Sequence, residues 1–341
     1  MAPIKLRRLR SNEQIRNLFG QTQVSAKNMV MPYFVIEGKN KREPVKSMPG
    51  IYRLSSDNLI RDIREIKDLG INAILLFGIA QKKGALGTES YSKTGIAQKA
   101  IKEIRKQIKD IIIITDVCLC GYTDHGHCGI VKKSNIKNQK SKTQTKIKNF
   151  YIDNDETLKI LAKIALSHAQ AGVDFVAPSA MMDGQVSAIR DALDNNGFKN
   201  TGILAYSAKY ASTFYGPFRE ALDSTPQFGG RKTYQMDYRN SDEALREVQQ
   251  DIDEGADIVM VKPALSYLDI IYRVKQKFNV PVAAYNVSGE YSMVKSAAKE
   301  ALANEKEIIL EILTSIKRAG ADLIITYHAK EAASWLMANS V

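Results

Sequence analysis

Two lysines in this 341-residue sequence occupy positions where an amine can act as a nucleophile. Lys262 follows the apolar run IVMV and precedes Pro263, and Lys209 follows AYSA. An apolar wall disfavours the ammonium form and lowers the pKa of a lysine, and a second cation nearby lowers it further. A neutral lysine attacks ketones to form imines. We interpret Lys262 as the nucleophile and Lys209 as its partner; the alternative is that they only reach solvent or pair with carboxylates.

The cysteines form a second chemical feature. Cys118, Cys120 and Cys128 all lie in the segment DVCLCGYTDHGHCG. A chain with three cysteines has no disulfide framework, whereas three thiolates with an open fourth position are typical of a catalytic zinc site. Two alternatives stay open: His125 or His127 completes a closed structural site, or the segment binds no metal.

Anion-binding groups follow the lysines along the chain. Arg219 in FYGPFR and Arg231 in GGRK are candidates for binding a substrate carboxylate, and the glycines and aromatic residues around them predict a lid. Exposed arginines in a mobile loop are the alternative. Ser288 and Tyr327 offer neutral donors for a second carboxylate, and Asp116, beside the cysteines, is a candidate base or a partner for the lysines.

Eight short apolar runs alternate with amphipathic helical segments and must position these groups. The predicted strands are Met29–Ile36, Asn72–Gly78, Ile111–Val117, Asp174–Pro178, Gly202–Ser207, Asp257–Val261, Val280–Val287 and Ala321–Thr326. The predicted helices include Asp57–Leu69, Thr94–Lys109, Asp155–Ala171, Asp242–Glu254, Leu268–Phe278 and Glu305–Ala319.

This alternation predicts a closed (β/α)8 TIM barrel over residues 29–341, preceded by an N-terminal arm over residues 1–28. Chemistry in such a barrel takes place at the carboxyl ends of the strands. The polar residues predicted at those ends are Asp116, Ser179, Lys209, Lys262, Ser288 and Tyr327.

The composition, with 44% apolar and 25% charged residues, is that of a globular protein, and no apolar run reaches the roughly 18 residues of a transmembrane helix. The basic start lacks the apolar core of a secretory signal, so we expect a cytoplasmic protein. The net charge of +12 falls to +12 − 7 = +5 without the seven lysines of residues 131–149, a segment with the composition of a disordered surface insertion. The charge therefore does not predict nucleic-acid binding.

Six segments resemble the porphobilinogen synthase (5-aminolevulinate dehydratase) family, in order over nearly the whole chain. They are TDVCLCGYTDHGHCG, APSAMMDGQV, YSAKYASTFYGPFREA, KTYQMDY, EGADIVMVKPALSYLDI and YNVSGEYSM. The resemblance implies an enzyme of tetrapyrrole (haem) biosynthesis that condenses two 5-aminolevulinate molecules to porphobilinogen with loss of water. It also implies a homo-oligomer, usually an octamer.

The resemblance further implies roles for matched residues. Lys262 matches the lysine that forms the imine at the P site, and Lys209 matches the lysine that forms or assists an imine at the A site. The P-site carboxylate binders match Ser288 and Tyr327, and the A-site residues match Arg219, Arg231 and Gln235. Polar active-site positions match Asp116 and Ser179, and the ligands of the zinc-dependent branch match Cys118, Cys120 and Cys128.

Three further points concern the family pattern. Glu247 matches the acidic residue that binds an activating Mg²⁺ in some bacterial and plant members, although a solvated helix glutamate is the alternative. Ala180 replaces an expected acidic residue, and the lysine-rich insertion after the cysteine segment is longer than the usual connection.

Two rival functions fit part of the sequence. A class I aldolase-like barrel would use Lys262 but leave Lys209 and the cysteines without a role. A zinc-stabilised basic protein that binds RNA would show strongly salt-dependent affinity carried by residues 132–148.

Overall fold

Eight parallel strands pair edge to edge and close into a barrel in the computed structural model, which describes residues 4–133 and 150–338. In chain order, β1 to β8 are Met29–Val35, Ala73–Gly78, Ile112–Val117, Phe175–Pro178, Gly202–Lys209, Ile258–Lys262, Val282–Asn286 and Leu323–Thr326. The barrel closes where Met29 and Val30 of β1 align with Ile324 and Ile325 of β8. The predicted TIM barrel is confirmed.

The strands form from short apolar runs because both faces of each strand are covered, by the barrel interior and by the outer helices. Ile74 and Leu75 in β2, for example, are neighbours along the chain and are both buried. Strict alternation of apolar and polar residues is absent from such strands, since neither face meets water.

Eight helices surround the barrel. In chain order, α1 to α8 are Ser56–Asp68, Ile96–Gln107, Asn154–Ala171, Gln185–Asn195, Asp242–Asp253, Leu268–Lys277, Glu305–Ala319 and Ala329–Ala338. Gly172 after α3 and Gly255 after α5 have φ of +107° and +103°, a conformation that glycine adopts at little cost. These glycines end the helices and turn the chain into the next strand.

Several elements were not predicted from the sequence. The strands Arg42–Pro44 and Tyr52–Leu54 form an antiparallel pair, as do Ile130–Lys133 and Phe150–Asp153. Two additional helices, Gly216–Ala221 and Ser288–Lys299, lie at the barrel mouth. Short 3-10 helices also occur at Leu6–Arg10, Ala26–Asn28, Thr88–Tyr91, Thr213–Tyr215 and Leu265–Tyr267.

Most predicted boundaries differ from the structure by one or two residues, and two differences concern the site and the insertion. Strand β5 continues to Lys209 instead of ending at Ser207, so Lys209 is the last residue of its strand. Residues 131–133 of the predicted insertion belong to a strand, and its remaining residues, 134–149, lie outside the described residues. No helix in the described part of the chain is long and apolar enough to cross a membrane.

The N-terminal segment contains the short helix Glu13–Leu18 and packs few of its apolar side chains. Ile4, Leu6, Leu18 and Phe19 are all more than half exposed. A segment with this much exposed apolar surface is consistent with the arm predicted over residues 1–28.

Candidate active site

The two lysines predicted from the sequence are side by side at the carboxyl ends of adjacent strands. Lys209 of β5 and Lys262 of β6 are aligned in the parallel ladder, beyond a register shift between Val259 and Val261. Both side chains are buried. The strand pairing therefore places two amines together at the mouth of the barrel.

An aromatic cage surrounds the amine of Lys262. Its Nζ lies 4.1 Å from the ring centroid of Tyr285, 4.8 Å from Phe218, 5.0 Å from Tyr206 and 5.2 Å from Tyr215. Burial in this cage, together with the charge of Lys209, holds the pKa of Lys262 well below its usual range. The amine is therefore available as a neutral nucleophile.

Lys209 has a more polar environment. Its ammonium donates a hydrogen bond to the backbone carbonyl of Ser179, at the exit of β4, and its Nζ lies 5.3 Å from the ring centroid of Tyr206. The same tyrosine ring thus contacts both lysines, so a substrate held at one amine lies next to the other.

Asp116, in strand β3, lies near the two lysines. Burial raises the pKa of its carboxyl group, against the opposing charge of Lys209 and a hydrogen bond from Ser179. Its Oδ1 atom is buried and has no hydrogen-bond partner among the described residues. A carboxylate with one unused acceptor beside two amines is suited to proton transfer.

The three cysteines converge on one point beside this group. The Sγ atoms of Cys118, Cys120 and Cys128 lie within 4.8 Å of one another, and those of Cys118 and Cys120 are 3.4 Å apart. All three thiols are buried and unpaired as disulfides. Hydrogen bonds from the other two thiols hold the pKa of Cys128 well below its usual range. This donor set fits a soft metal ion such as zinc.

The neighbouring histidines use their ring nitrogens elsewhere. His125 Nδ1 accepts the N–H of His127 at 3.1 Å, and its Nε2 faces the carbonyl of Ala85 at 3.2 Å. His127 Nε2 faces the carbonyl of Phe228 at 2.9 Å, and its Nδ1 lies 3.2 Å from the hydroxyl of Tyr234. Since a carbonyl only accepts, each Nε2 carries the proton and each Nδ1 lone pair is already engaged. This geometry favours the open three-cysteine site over the closed site with histidine.

The predicted lid lies across the cysteine segment and is hydrogen-bonded to it. Arg231 Nη2 donates to the carbonyl of Gly126 at 2.9 Å, and the backbone N–H of Gln227 donates to the carbonyl of His125 at 3.1 Å. The hydroxyl of Tyr234 accepts from the N–H of Cys128 at 3.4 Å. The predicted lid and the cysteine segment therefore form one connected structure.

The anion-binding residues predicted on the lid retain unused donors. The Nε atoms of Arg219 and Arg231 are buried and, within the described ranges, have no hydrogen-bond partner. The same is true of both amide atoms of Gln235, which is itself buried. Buried polar groups are seldom left unpaired, so these groups are candidates to bind a substrate carboxylate.

Ser288 follows the end of β7, and Tyr327 follows the end of β8. The hydroxyl of Ser288 accepts from the N–H of Phe218 at 2.9 Å and is 3.2 Å from the carbonyl of Phe214. The hydroxyl of Tyr327 lies 3.0 Å from that of Tyr285, whose ring belongs to the cage around Lys262. The structure thus brings both predicted residues into contact with the surroundings of Lys262.

Glu247 lines a cavity whose lining residues do not include Lys209 or Lys262. The cavity has a volume of about 750 Å³ and is also lined by Asp183, Glu243 and Asp251, and Gln235 of the lid lines the same cavity. Burial and the charges of Asp183 and Glu243 raise the pKa of Glu247. Several carboxylates around one cavity form a surface that suits a hydrated cation. Ala180, where an acidic residue was expected, is fully buried.

Sequence reasoning missed the cage and the contacts of the lid. Tyr206 and Tyr285 stand within the predicted strands, and Tyr215 and Phe218 within the predicted lid, but nothing in the spacing of these residues shows that they converge. A signal existed for two of them, since a tyrosine precedes each polar strand end in AYSAK and AYNVS.

Comparison with known proteins gives a consistent result. The family model described as delta-aminolevulinic acid dehydratase matches residues 3–335. Relatives of that name include those of Synechocystis sp. (strain ATCC 27184 / PCC 6803 / Kazusa), 51% identical over 98% of both chains, and Bacillus subtilis (strain 168), 52% identical over 97% of both chains. That of Methanothermus sociabilis is 55% identical over 96% of this chain and 97% of its own.

A solved structure agrees with these sequence matches. The delta-aminolevulinic acid dehydratase (porphobilinogen synthase) of Toxoplasma gondii ME49, in complex with the reaction product porphobilinogen, superposes with a TM-score of 0.90. It is 43% identical, and the match covers 98% of this chain and 91% of that one.

Proposed function

The chain belongs to the delta-aminolevulinic acid dehydratase family, and we propose that it condenses two 5-aminolevulinate molecules through imines at Lys262 and Lys209. The observation that carries the proposal is the alignment of two buried lysines at the ends of adjacent strands. Two amines in contact with one aromatic ring match a reaction that joins two identical ketones.

Lys262 has the properties required for the first covalent step. Its neutral amine adds to the ketone carbon of one substrate, and the ketone oxygen leaves as water when the imine forms. The protonated imine is a cation, and the four rings of the cage stabilise it through their π faces. The cage therefore disfavours the charged amine by excluding water and still accommodates the charged product of its attack.

The remaining groups divide into proton transfer and substrate binding. Asp116 faces both lysines and is our candidate for removing the proton from the carbon next to an imine. We assign the carboxylate of one substrate to Arg219, Arg231 and Gln235, and that of the other to Ser288 and Tyr327. Ser179 orients Lys209 and Asp116, since it contacts both.

We further assign the chain to the zinc-dependent branch of the family, with Cys118, Cys120 and Cys128 as ligands. Three thiolates would hold zinc with one position left for a further ligand, and the ion would supply polarisation of a substrate group or a lower pKa of a bound water. Mg²⁺ is assigned to the acidic cavity beside Glu247, where it would act without contact to the lysines.

A chelation experiment tests the metal assignment. We expect activity with 5-aminolevulinate to disappear after chelation, to return with Zn²⁺, and to remain absent with Mg²⁺ alone. Mg²⁺ added after Zn²⁺ should increase the activity further, and this increase should be lost in Glu247→Gln. Full activity of the metal-free protein would contradict a catalytic zinc.

Borohydride trapping tests the assignment of the lysines. The protein is reduced with borohydride in the presence of 5-aminolevulinate, and the labelled peptides are mapped. We expect the label on Lys262, with or without a second label on Lys209. Porphobilinogen formation without any label on Lys262 would overturn the proposed role of this residue.

Assembly and location complete the proposal. We propose a homo-octamer in which the N-terminal arm packs its exposed apolar side chains against a neighbouring barrel, as the exposure of Leu18 and Phe19 supports. We place the protein in the cytoplasm, where its three buried thiols remain reduced. Sedimentation of the full chain beside a variant lacking residues 1–28 tests the assembly.

A further inference from the structure

Glu290 is a buried carboxylate at the barrel mouth that none of the roles above includes. It lies in the first turn of the helix Ser288–Lys299 and is only 3% exposed. It forms no ion pair within the described part of the chain. A buried carboxylate without a cation is costly, so its presence calls for an explanation in its hydrogen bonds.

Those hydrogen bonds connect two separate segments of the chain. Glu290 Oε1 accepts the backbone N–H of Leu265 at 2.7 Å. Its Oε2 accepts the backbone N–H of Val287 at 2.6 Å and the side-chain amide of Asn286 at 3.2 Å. Leu265 follows Lys262 by three residues, and Val287 directly precedes Ser288. One carboxylate thus bridges the segments that carry these two site residues.

The carbonyl of Lys262 is held from the other side. It accepts the backbone N–H of Tyr210 at 2.9 Å and the hydroxyl of Tyr215 at 3.1 Å. The chain around Lys262 is therefore fixed on one side by the lid region and on the other by Glu290. Displacement of either anchor would shift the amine relative to Ser288.

The bridge requires a carboxylate in particular. The backbone N–H groups of Leu265 and Val287 and the amide of Asn286 are all donors, as is the backbone of Ala264, and a carboxylate is the side chain that only accepts. Glutamine has the same shape, but its NH₂ group would face one of these N–H groups. Burial raises the pKa of Glu290 to about 7, against the effect of the donors around it. Glu290 also caps its own helix by accepting the N–H of Val287, so its loss should lower stability as well as shift the two segments.

We propose that Glu290 is a positioning residue for the reaction, holding Lys262 and Ser288 at a fixed separation so that both engage the same substrate molecule. The inference rests on the proposed roles of those two residues. The amine attacks the ketone while the hydroxyl binds the carboxylate of that substrate, so the distance between the two groups must match the length of 5-aminolevulinate.

The test compares Glu290→Gln with Asp322→Asn in the intact protein. Asp322 also accepts a backbone N–H, that of Val282 at 2.8 Å, but at the opposite end of the barrel. For each variant we measure kcat and KM for 5-aminolevulinate, the rate of borohydride trapping at Lys262 under saturating substrate, and Tm. We expect Glu290→Gln to reduce kcat and the trapping rate about 10- to 100-fold, because a misplacement of this size disrupts attack geometry. Asp322→Asn should leave kcat and the trapping rate within about twofold of the wild-type values, and it should lower Tm by about as much as Glu290→Gln does.

The two variants distinguish positioning from general stabilisation. Equal losses of kcat in both variants, or unchanged trapping in Glu290→Gln, would overturn the proposal. If Glu290→Gln does not fold, Glu290→Asp is measured instead, since the shorter carboxylate cannot reach both segments and should slow trapping about tenfold. Product formation without label at Lys262 in the wild-type protein would overturn the proposed function and, with it, the positioning role. Normal labelling of the wild-type protein together with unchanged trapping in Glu290→Gln would overturn the role of Glu290 alone.

Discussion

The polar groups at the two ends of the barrel differ in whether they have hydrogen-bond partners within the described residues. At the amino ends of the strands, Asp174, Asp257 and Asp322 each accept the backbone N–H of the preceding strand, at 2.7, 2.7 and 2.8 Å. Each aspartate also donates its own N–H back to the same residue of that strand. Every one of them follows a glycine that ends a helix, in the motifs GVD and GAD. This end of the barrel pairs its polar groups within the chain.

At the carboxyl ends of the strands, several buried polar groups lack such partners. Asp116 Oδ1, the Nε atoms of Arg219 and Arg231, and the amide of Gln235 are buried without a hydrogen-bond partner in the ranges 4–133 and 150–338. Lys262 is buried among aromatic rings and forms no ion pair there. Unpaired buried groups cost stability, so their concentration at this end indicates that substrate supplies their partners.

The groups that stabilise the fold and the groups suited to chemistry therefore lie at opposite ends of the barrel. The amino-end aspartates fix the strands, and this lets the carboxyl ends carry groups that would otherwise destabilise the fold. Substitutions at the two ends should consequently affect activity and stability in different proportions, and four variants test this.

The largest effect is expected for Lys262→Met. Activity should fall on the order of 10⁴-fold because the nucleophile is lost. Stability at pH 7 should rise, since the pKa of Lys262 is depressed in the folded state and the unfolded state binds the proton more tightly. This gain should shrink as the pH rises from the depressed folded-state pKa toward the unfolded-state pKa of lysine, about 10.4, and should be absent above it. The Tm values of the variant and the wild-type protein, measured between pH 7 and pH 11, check the sign of this stability change.

Lys275→Met is the matched control at the other end of the barrel. Lys275 forms an ion pair with Asp322 at 2.7 Å and is partly exposed. Its replacement should leave activity within about twofold and should not raise Tm, because exposed ion pairs contribute little. A Tm for Lys262→Met below that of the wild-type protein would contradict the view that the carboxyl end stores destabilising groups.

An intermediate effect is expected for Tyr234→Phe. The variant removes the hydroxyl that connects His127 and Cys128 to the lid but leaves the three cysteines in place. We expect the apparent KM for 5-aminolevulinate to rise about fivefold, through the loss of one or two hydrogen bonds that close the lid. Zinc content, measured by metal analysis, should be unchanged. Loss of zinc would show instead that Tyr234 supports the metal site directly.

The sequence predicted the stable framework better than the convergence of side chains. The glycine-containing turns, the apolar strands and the position of Lys262 were predictable because each is a local pattern. The cage was not, since Tyr285, Tyr206 and Phe218 come from β7, β5 and the lid, and only the closed barrel brings them together. The Arg42–Pro44 pairing was missed because its three residues are exposed and carry no apolar signal.

The roles of the histidines could not be predicted for a different reason. His125 and His127 have the residue type and spacing of zinc ligands, and only the hydrogen-bond partners of their ring nitrogens in the folded chain favour a site without them. Hydrogen bonds between distant segments, such as that from Glu290 to Leu265, leave no periodicity in a sequence either.

The smallest effect on activity is expected for Asp174→Asn at the amino end. Asp174 accepts the N–H of Ile113 and forms an ion pair with Arg105. Replacing its carboxylate by an amide removes the negative charge from both interactions. Tm should fall by about 2–4 °C, with kcat and KM within about twofold when measured well below that temperature. Since Ile113 lies in the same strand as Asp116, a large fall in kcat at unchanged Tm would show that the two ends are coupled through β3, and the separation argued above would fail.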